Sequence, residues 1–179
     1  MLPTTKSDRT HWIPISLFGG AMTVQLPDTF KDVSALRQVP DNQEVFMDMS
    51  RDQSLVIEIV EHQTNIADGD AARFFFCDLA KENGALETDT PTASVVRSDA
   101  KIPVSKQHTV ILARGFQPLP REAGACKLPV QMAIIRIPEH NADILVSFYG
   151  EPRGVDAPDK DKFFDGEAER NDPVASFLK

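Results

Sequence analysis

The segment Ser54–Val60, SLVIEIV, constrains the fold more than any other stretch of the chain. Its aliphatic residues fall on both alternating faces of an extended strand, and four of the seven residues are β-branched. A strand of that composition needs cover on both sides, which predicts a central strand in a layered domain. Glu44–Asp48 (EVFMD) reads as a shorter strand just before it. Ala21–Leu26 alternates around Met22, Val24 and Leu26 and stops at Pro27, as a half-buried strand does. Ser94–Ser98, His108–Phe116, Gln131–Ile137 and Asp143–Tyr149 read as further strands. Pro118, Pro120, Pro138 and Pro152 are expected to mark where their ladders end.

One stretch changes period. In Asp70–Asn83 (DAARFFFCDLAKEN) the residues Ala72, Phe75, Phe76 and Leu79 recur at helical spacing. Asp70 is placed to cap the start, and Gly84 follows where a left-handed terminating residue belongs. The run Phe74–Phe76 is assigned to packing against a sheet. A closing helix within Asp159–Lys179 is a weaker expectation, because Gly166 and Pro173 interrupt it. Consecutive strands with short connections imply a mainly antiparallel sheet. The expected class is therefore α+β, with six or more strands and flanking helices. Residues 1–16 are polar and broken by prolines and are expected to form a loose arm, leaving residues 17–179 as a single domain.

Composition bounds the function. The 179 residues are 41% hydrophobic and 26% charged, with a net charge of −8. A chain of this size buries roughly 70% of its unfolded surface and needs no metal or disulfide to fold. The acidic balance, with a pI near 4.9, argues against nucleic acid or anionic lipid as the main partner. Cys77 and Cys126 lack the paired spacing of a metal knuckle or redox dithiol. The N-terminus has no apolar core of signal-peptide length and no run is long enough to span a bilayer, so a soluble intracellular protein is expected. No oligomerisation signal stands out, and a monomer is the expectation.

Motifs for chemistry are absent. The sequence has no Gly-x-x-x-x-Gly-Lys-Ser/Thr loop, no Gly-x-Ser-x-Gly elbow and no His-Glu-x-x-His helix. His11, His62, His108 and His140 are scattered, and none has another histidine at ligand spacing. They are read as surface or strand-end residues. No cofactor and no metal is expected.

Charge placement is more informative than its total. Between Asp28 and Glu61 there are eight acidic and three basic residues, interleaved with apolar strands; between Glu139 and Asp172 there are ten and four, read as a solvated surface. Within the first stretch, Glu58 interrupts an aliphatic strand on the face opposite Leu55, Ile57 and Ile59, which is costly unless the carboxylate is solvated or paired. Glu61 ends the same strand. Antiparallel pairing through a turn over 48–53 would bring Asp41 and Glu44 beside them, so the four are expected to form one acidic patch. Three uses compete for it: a carboxylate site for Ca²⁺ or Mg²⁺, a general acid–base pair, and docking of a basic protein surface.

Leu17–Pro27 (LFGGAMTVQLP), Asp32–Phe46 (DVSALRQVPDNQEVF) and Asp52–Glu61 (DQSLVIEIVE) together resemble the Ran guanine-nucleotide release factor family, the Mog proteins of nuclear transport. The run Leu36–Val45 is the most specific part. A weaker similarity continues through Ile135-Arg136-Ile137-Pro138 and Asp143–Phe148, and the chain departs from the family pattern at Tyr149-Gly150-Glu151-Pro152. The resemblance implies an α/β/α sandwich around a mainly antiparallel sheet, similar to the photosystem PsbP proteins. It also implies binding of the GTPase Ran, loss of its bound nucleotide, support of nuclear import from nucleus and cytoplasm, and no covalent chemistry. The positions matching the family's Ran contact are Asp41, Glu44, Glu58 and Glu61. Among the three uses, the resemblance selects docking. A trafficking adaptor without release activity and a carboxylate metal site remain as alternatives.

Overall fold

The computed structural model describes residues 10–84, 92–96, 108–119, 126–151 and 153–154. In chain order the elements are β1 (Trp12–Leu17), β2 (Met22–Pro27), β3 (Lys31–Asp32), β4 (Gln43–Asp48), β5 (Gln53–Glu61), α1 (Asp68–Glu82), β6 (Thr92–Val96), β7 (Thr109–Leu119), β8 (Cys126–Ile137), β9 (Ala142–Tyr149) and β10 (Arg153–Gly154). The class is α+β, as expected. Strands β3-β4-β5-β9-β8-β7-β6, with β10 added beside β8, form an eight-stranded sheet in which every pairing is antiparallel.

The apolar run in β5 lies between β4 and β9 and is covered on both sides, as its composition requires. On one side Leu55 and Ile57 meet Leu17, Val24 and Leu26 of the β1–β2 hairpin, together with Val146 and Phe148 of β9. On the other side Val60 packs with Phe75 and Phe76 of α1 and with Ile111, Met132 and Ile134. Burial of each such aliphatic or aromatic side chain contributes about 1.5–3 kcal/mol, so this sandwich of layers dominates the stability. Phe74, half-buried, meets Phe75 edge to face at 5.1 Å, so the phenylalanine run belongs to the core.

Three expectations change. Residues Trp12–Ser16, placed in a loose arm, belong to β1, which pairs along its whole length with β2. Pro14 inside the strand and the exposed Ser16 hid this, because the strand lies on the outer layer and its alternate residues face out. The turn joining β1 to β2 requires positive φ at Phe18 (49°), Gly19 (66°) and Gly20 (97°), which the Gly-Gly pair supplies at little cost for two of the three.

The helix starts two residues before Asp70, with Ala67 at the capping position and no side-chain cap. Asp68 and Asp70 both sit in its first turn, where they favour the helix dipole. Gly84 does adopt the left-handed conformation (φ 73°), and its N–H donates to the Lys81 carbonyl. Strand β7 runs through Pro118, which lies opposite Lys127. The β6 ladder has ended by Arg114, so the missing proline N–H falls on an edge without a partner strand among the described residues. The closing helix expected within Asp159–Lys179 lies outside the described residues.

Candidate functional site

The antiparallel pairing expected for the acidic residues is present. Gln43 lies opposite Glu58, Glu44 opposite Ile57 and Asp48 opposite Gln53. The starts and ends of β4 and β5 therefore meet, with Asp41 exposed in the preceding turn and Glu61 exposed at the strand end. Strand alternation does not allow a single flat patch. Glu44 shares the face of Ile57, toward the β1–β2 hairpin, whereas Glu58 shares the opposite face, toward α1. Glu61 has the parity of Ile57. The four acids gather around one end of the β4–β5 pair, on both sides of the sheet.

Glu44, Glu58 and Glu61 each have their own hydrogen-bond partners. Glu44 Oε1 accepts the backbone N–H of Phe18 at 2.6 Å, so this half-buried residue pins the strained hairpin turn to the main sheet. Glu58, also half-buried, accepts the side-chain amides of Gln43 at 3.0 Å and Asn42 at 3.3 Å. Those donors answer the cost of a carboxylate within an aliphatic strand. Glu61 accepts the Asn141 amide at 3.3 Å.

The structure adds acids near Glu58 that strand pattern alone does not bring there. Partial burial, then the neighbouring carboxylates of Glu58 and Asp78, push the Glu82 carboxyl up from its ordinary value. Burial pushes the Tyr149 phenol up to about 12, with Glu82 and Glu58 adding to the shift and hydrogen bonds from Asn83 and Ser147 opposing it. Glu58, Asp78 and Glu82 thus form an acidic group on the helix side. The available signal was the i, i+4 spacing of Asp78 and Glu82 in the last turns of α1, but only tertiary packing sets that turn beside β5.

Beside Glu61 lies a buried polar network. Arg136 on β8 stands opposite Asp143 on β9, with Nε 3.4 Å from Oδ1. Arg136 Nη1 donates to the Ile66 carbonyl at 2.6 Å and to Asp68 Oδ1 at 3.2 Å, and Nη2 donates to the Gln63 carbonyl at 2.7 Å. His62 Nδ1 lies 2.7 Å from Asp143 Oδ1, and the Gln63 N–H donates to Asp143 Oδ2 at 3.3 Å. Asp68 also accepts the Thr109 hydroxyl. The network thereby fastens the connection between β5 and α1 to three strands. His62 is a strand-end residue, as expected, but its partners are distant in sequence.

Among the described residues, no group of three or more His, Cys, Asp and Glu side chains could hold a metal ion. The comparisons point elsewhere. Residues 15–151 match the family model Mog1, described as Ran-interacting Mog1 protein. The chain is 38% identical over 136 residues to the Ran guanine nucleotide release factor of Danio rerio, covering 74% of each. It is 34% identical over 146 residues to the Homo sapiens protein of the same name, covering 76% of this chain and 74% of the other. The fold matches the crystal structure of the Saccharomyces cerevisiae Ran-binding protein Mog1p with a TM-score of 0.65 at 20% identity, covering 94% of this chain and 91% of that one. With the fold, the matched span and these relatives in agreement, the chain belongs to the Ran-interacting Mog1 family.

Proposed function

We propose that this protein binds the small GTPase Ran and promotes release of its guanine nucleotide, in support of nuclear protein import. The observation carrying this reading is family membership across residues 15–151, with relatives named for that activity. Asp41, Glu44, Glu58 and Glu61 at the end of the β4–β5 pair are the proposed contacts, pairing with Lys and Arg of the partner. Matched charge raises the encounter rate and fixes orientation. Glu44 has a divided role, since one of its oxygens already holds the Phe18 N–H.

The chemistry required is binding alone. A release factor favours a GTPase conformation that holds nucleotide and Mg²⁺ less tightly, and no covalent bond is made or broken. Reciprocity follows from linkage: if this protein lowers Ran's affinity for nucleotide by some factor, nucleotide lowers Ran's affinity for this protein by the same factor. Function in both nucleus and cytoplasm is the corresponding expectation.

The test loads Ran with a fluorescent guanine nucleotide and follows its loss with and without this protein, alongside a direct binding titration at low and raised salt. Faster release, with binding that weakens as salt screens the acids, is the expected result. Binding without faster release would make the protein an adaptor. No binding, or binding unchanged by Glu58→Lys together with Glu61→Lys, would overturn the reading.

A further inference from the structure

An exposed glutamate at a strand end ordinarily samples several rotamers, and any interface that uses it must restrict them. Glu61 is exposed, yet its surroundings are built. Its carboxylate accepts the Asn141 side-chain amide at 3.3 Å, and its carbonyl accepts the Gln63 side-chain amide at 3.1 Å. The Asn141 backbone is fixed in turn. It adopts the left-handed conformation (φ 50°, ψ 38°), its N–H donates to the Pro138 carbonyl at 3.1 Å, and its carbonyl accepts the His62 N–H at 3.0 Å. His62 and Gln63 are themselves held by buried Asp143, which Arg136 accompanies.

The geometry points to Asn141 as a positioning residue for Glu61: its amide holds the carboxylate in one orientation before the partner arrives, and the Arg136–Asp143 network keeps the strand end beside it. This rests on the proposed use of Glu61 in docking Ran. Asparagine suits both demands, since it tolerates the left-handed conformation better than most side chains and supplies the donor. Pre-ordering a contact group strengthens binding because less freedom is lost on association.

The experiment is a double-mutant cycle read as the dissociation constant for nucleotide-free Ran, with Asn141→Gly, Glu61→Gln and the pair. Glycine accepts the same backbone conformation, so Asn141→Gly removes the amide while keeping the turn. Asn141→Asp is a second variant that keeps the shape and replaces the donor with a like charge. Asn141→Gly should weaken binding by about three- to fivefold, the net scale of one ordinary, solvent-exposed hydrogen bond, and should change nothing in the Glu61→Gln background. With Glu58→Gln its effect should be independent. Equal weakening in both Glu61 backgrounds, or none from either Asn141 variant while Glu61→Gln does weaken binding, would sink the positioning role alone. If Glu61→Gln leaves affinity unchanged, the docking role of Glu61 fails first and the positioning role falls with it.

Discussion

Arg136 and Asp143 face each other across the β8–β9 ladder, each almost wholly buried, with the guanidinium Nε 3.4 Å from the carboxylate Oδ1. Neither charge has water to replace the other. The pair is maintained by additional hydrogen bonds to the Ile66 and Gln63 carbonyls and to Asp68, and it ties the β5–α1 connection to the sheet.

Removing one member leaves the other buried with only part of its compensation, Arg136 beside the half-exposed Asp68 or Asp143 beside His62. Asp143→Ala should destabilise the fold by about 3–5 kcal/mol, measured by urea unfolding. Replacing both with apolar residues of similar volume should cost much less than either single change.

Glu44 should behave as a structural residue as well as a proposed contact. Glu44→Ala removes the acceptor of the Phe18 N–H and should lower stability by about 1–2 kcal/mol. Trp12, the single tryptophan, lies in β1, so its fluorescence should report any loosening of the hairpin. Glu61→Ala, at an exposed strand end, should change stability by less than about 0.5 kcal/mol.

Asp48 gives a pH signature. Burial alone would raise its carboxyl, but hydrogen bonds from the Ser50 hydroxyl and backbone N–H, with Arg51 nearby, hold it below the ordinary value. Because the folded state favours the ionised form, its contribution is complete above the unfolded value, near 4, and is lost as pH falls through the lower folded value. Asp48→Asn should reduce stability at neutral pH and flatten the loss on acidification below about pH 4. Equal acid sensitivity in both proteins would contradict this.

Tyr149 is the chain's one tyrosine, so its ionisation can be read directly by ultraviolet absorbance. With the phenol pushed up to about 12, tyrosinate should be nearly absent at pH 10, where a free phenol is half ionised. The folded state favours the neutral form, so this group's contribution is present below about pH 10 and lost as pH rises toward 12. Glu82→Gln should bring the midpoint down by removing a neighbouring negative charge.

The sequence by itself determined the class of fold and much of its layout. Period-2 runs located most strands, the helical spacing of Ala72, Phe75, Phe76 and Leu79 located α1, and the two-sided apolar character of Ser54–Val60 placed β5 inside the sheet. These are local signals, written in a residue's own neighbours. The family motifs in Leu17–Glu61 likewise lie in continuous stretches, which makes membership legible in the sequence alone. Tertiary structure alone decided what depends on partners far apart in the chain. It recruited Trp12–Ser16 into β1 by pairing with β2. It divided Glu44 from Glu58 across the sheet, and set Asp78 and Glu82 beside Glu58. It also joined His62, Arg136 and Asp143, residues more than 70 positions apart at the extremes. Hydrogen bonds and Coulomb interactions act over a few ångströms of space, and only the folded path of the chain determines which side chains come that close.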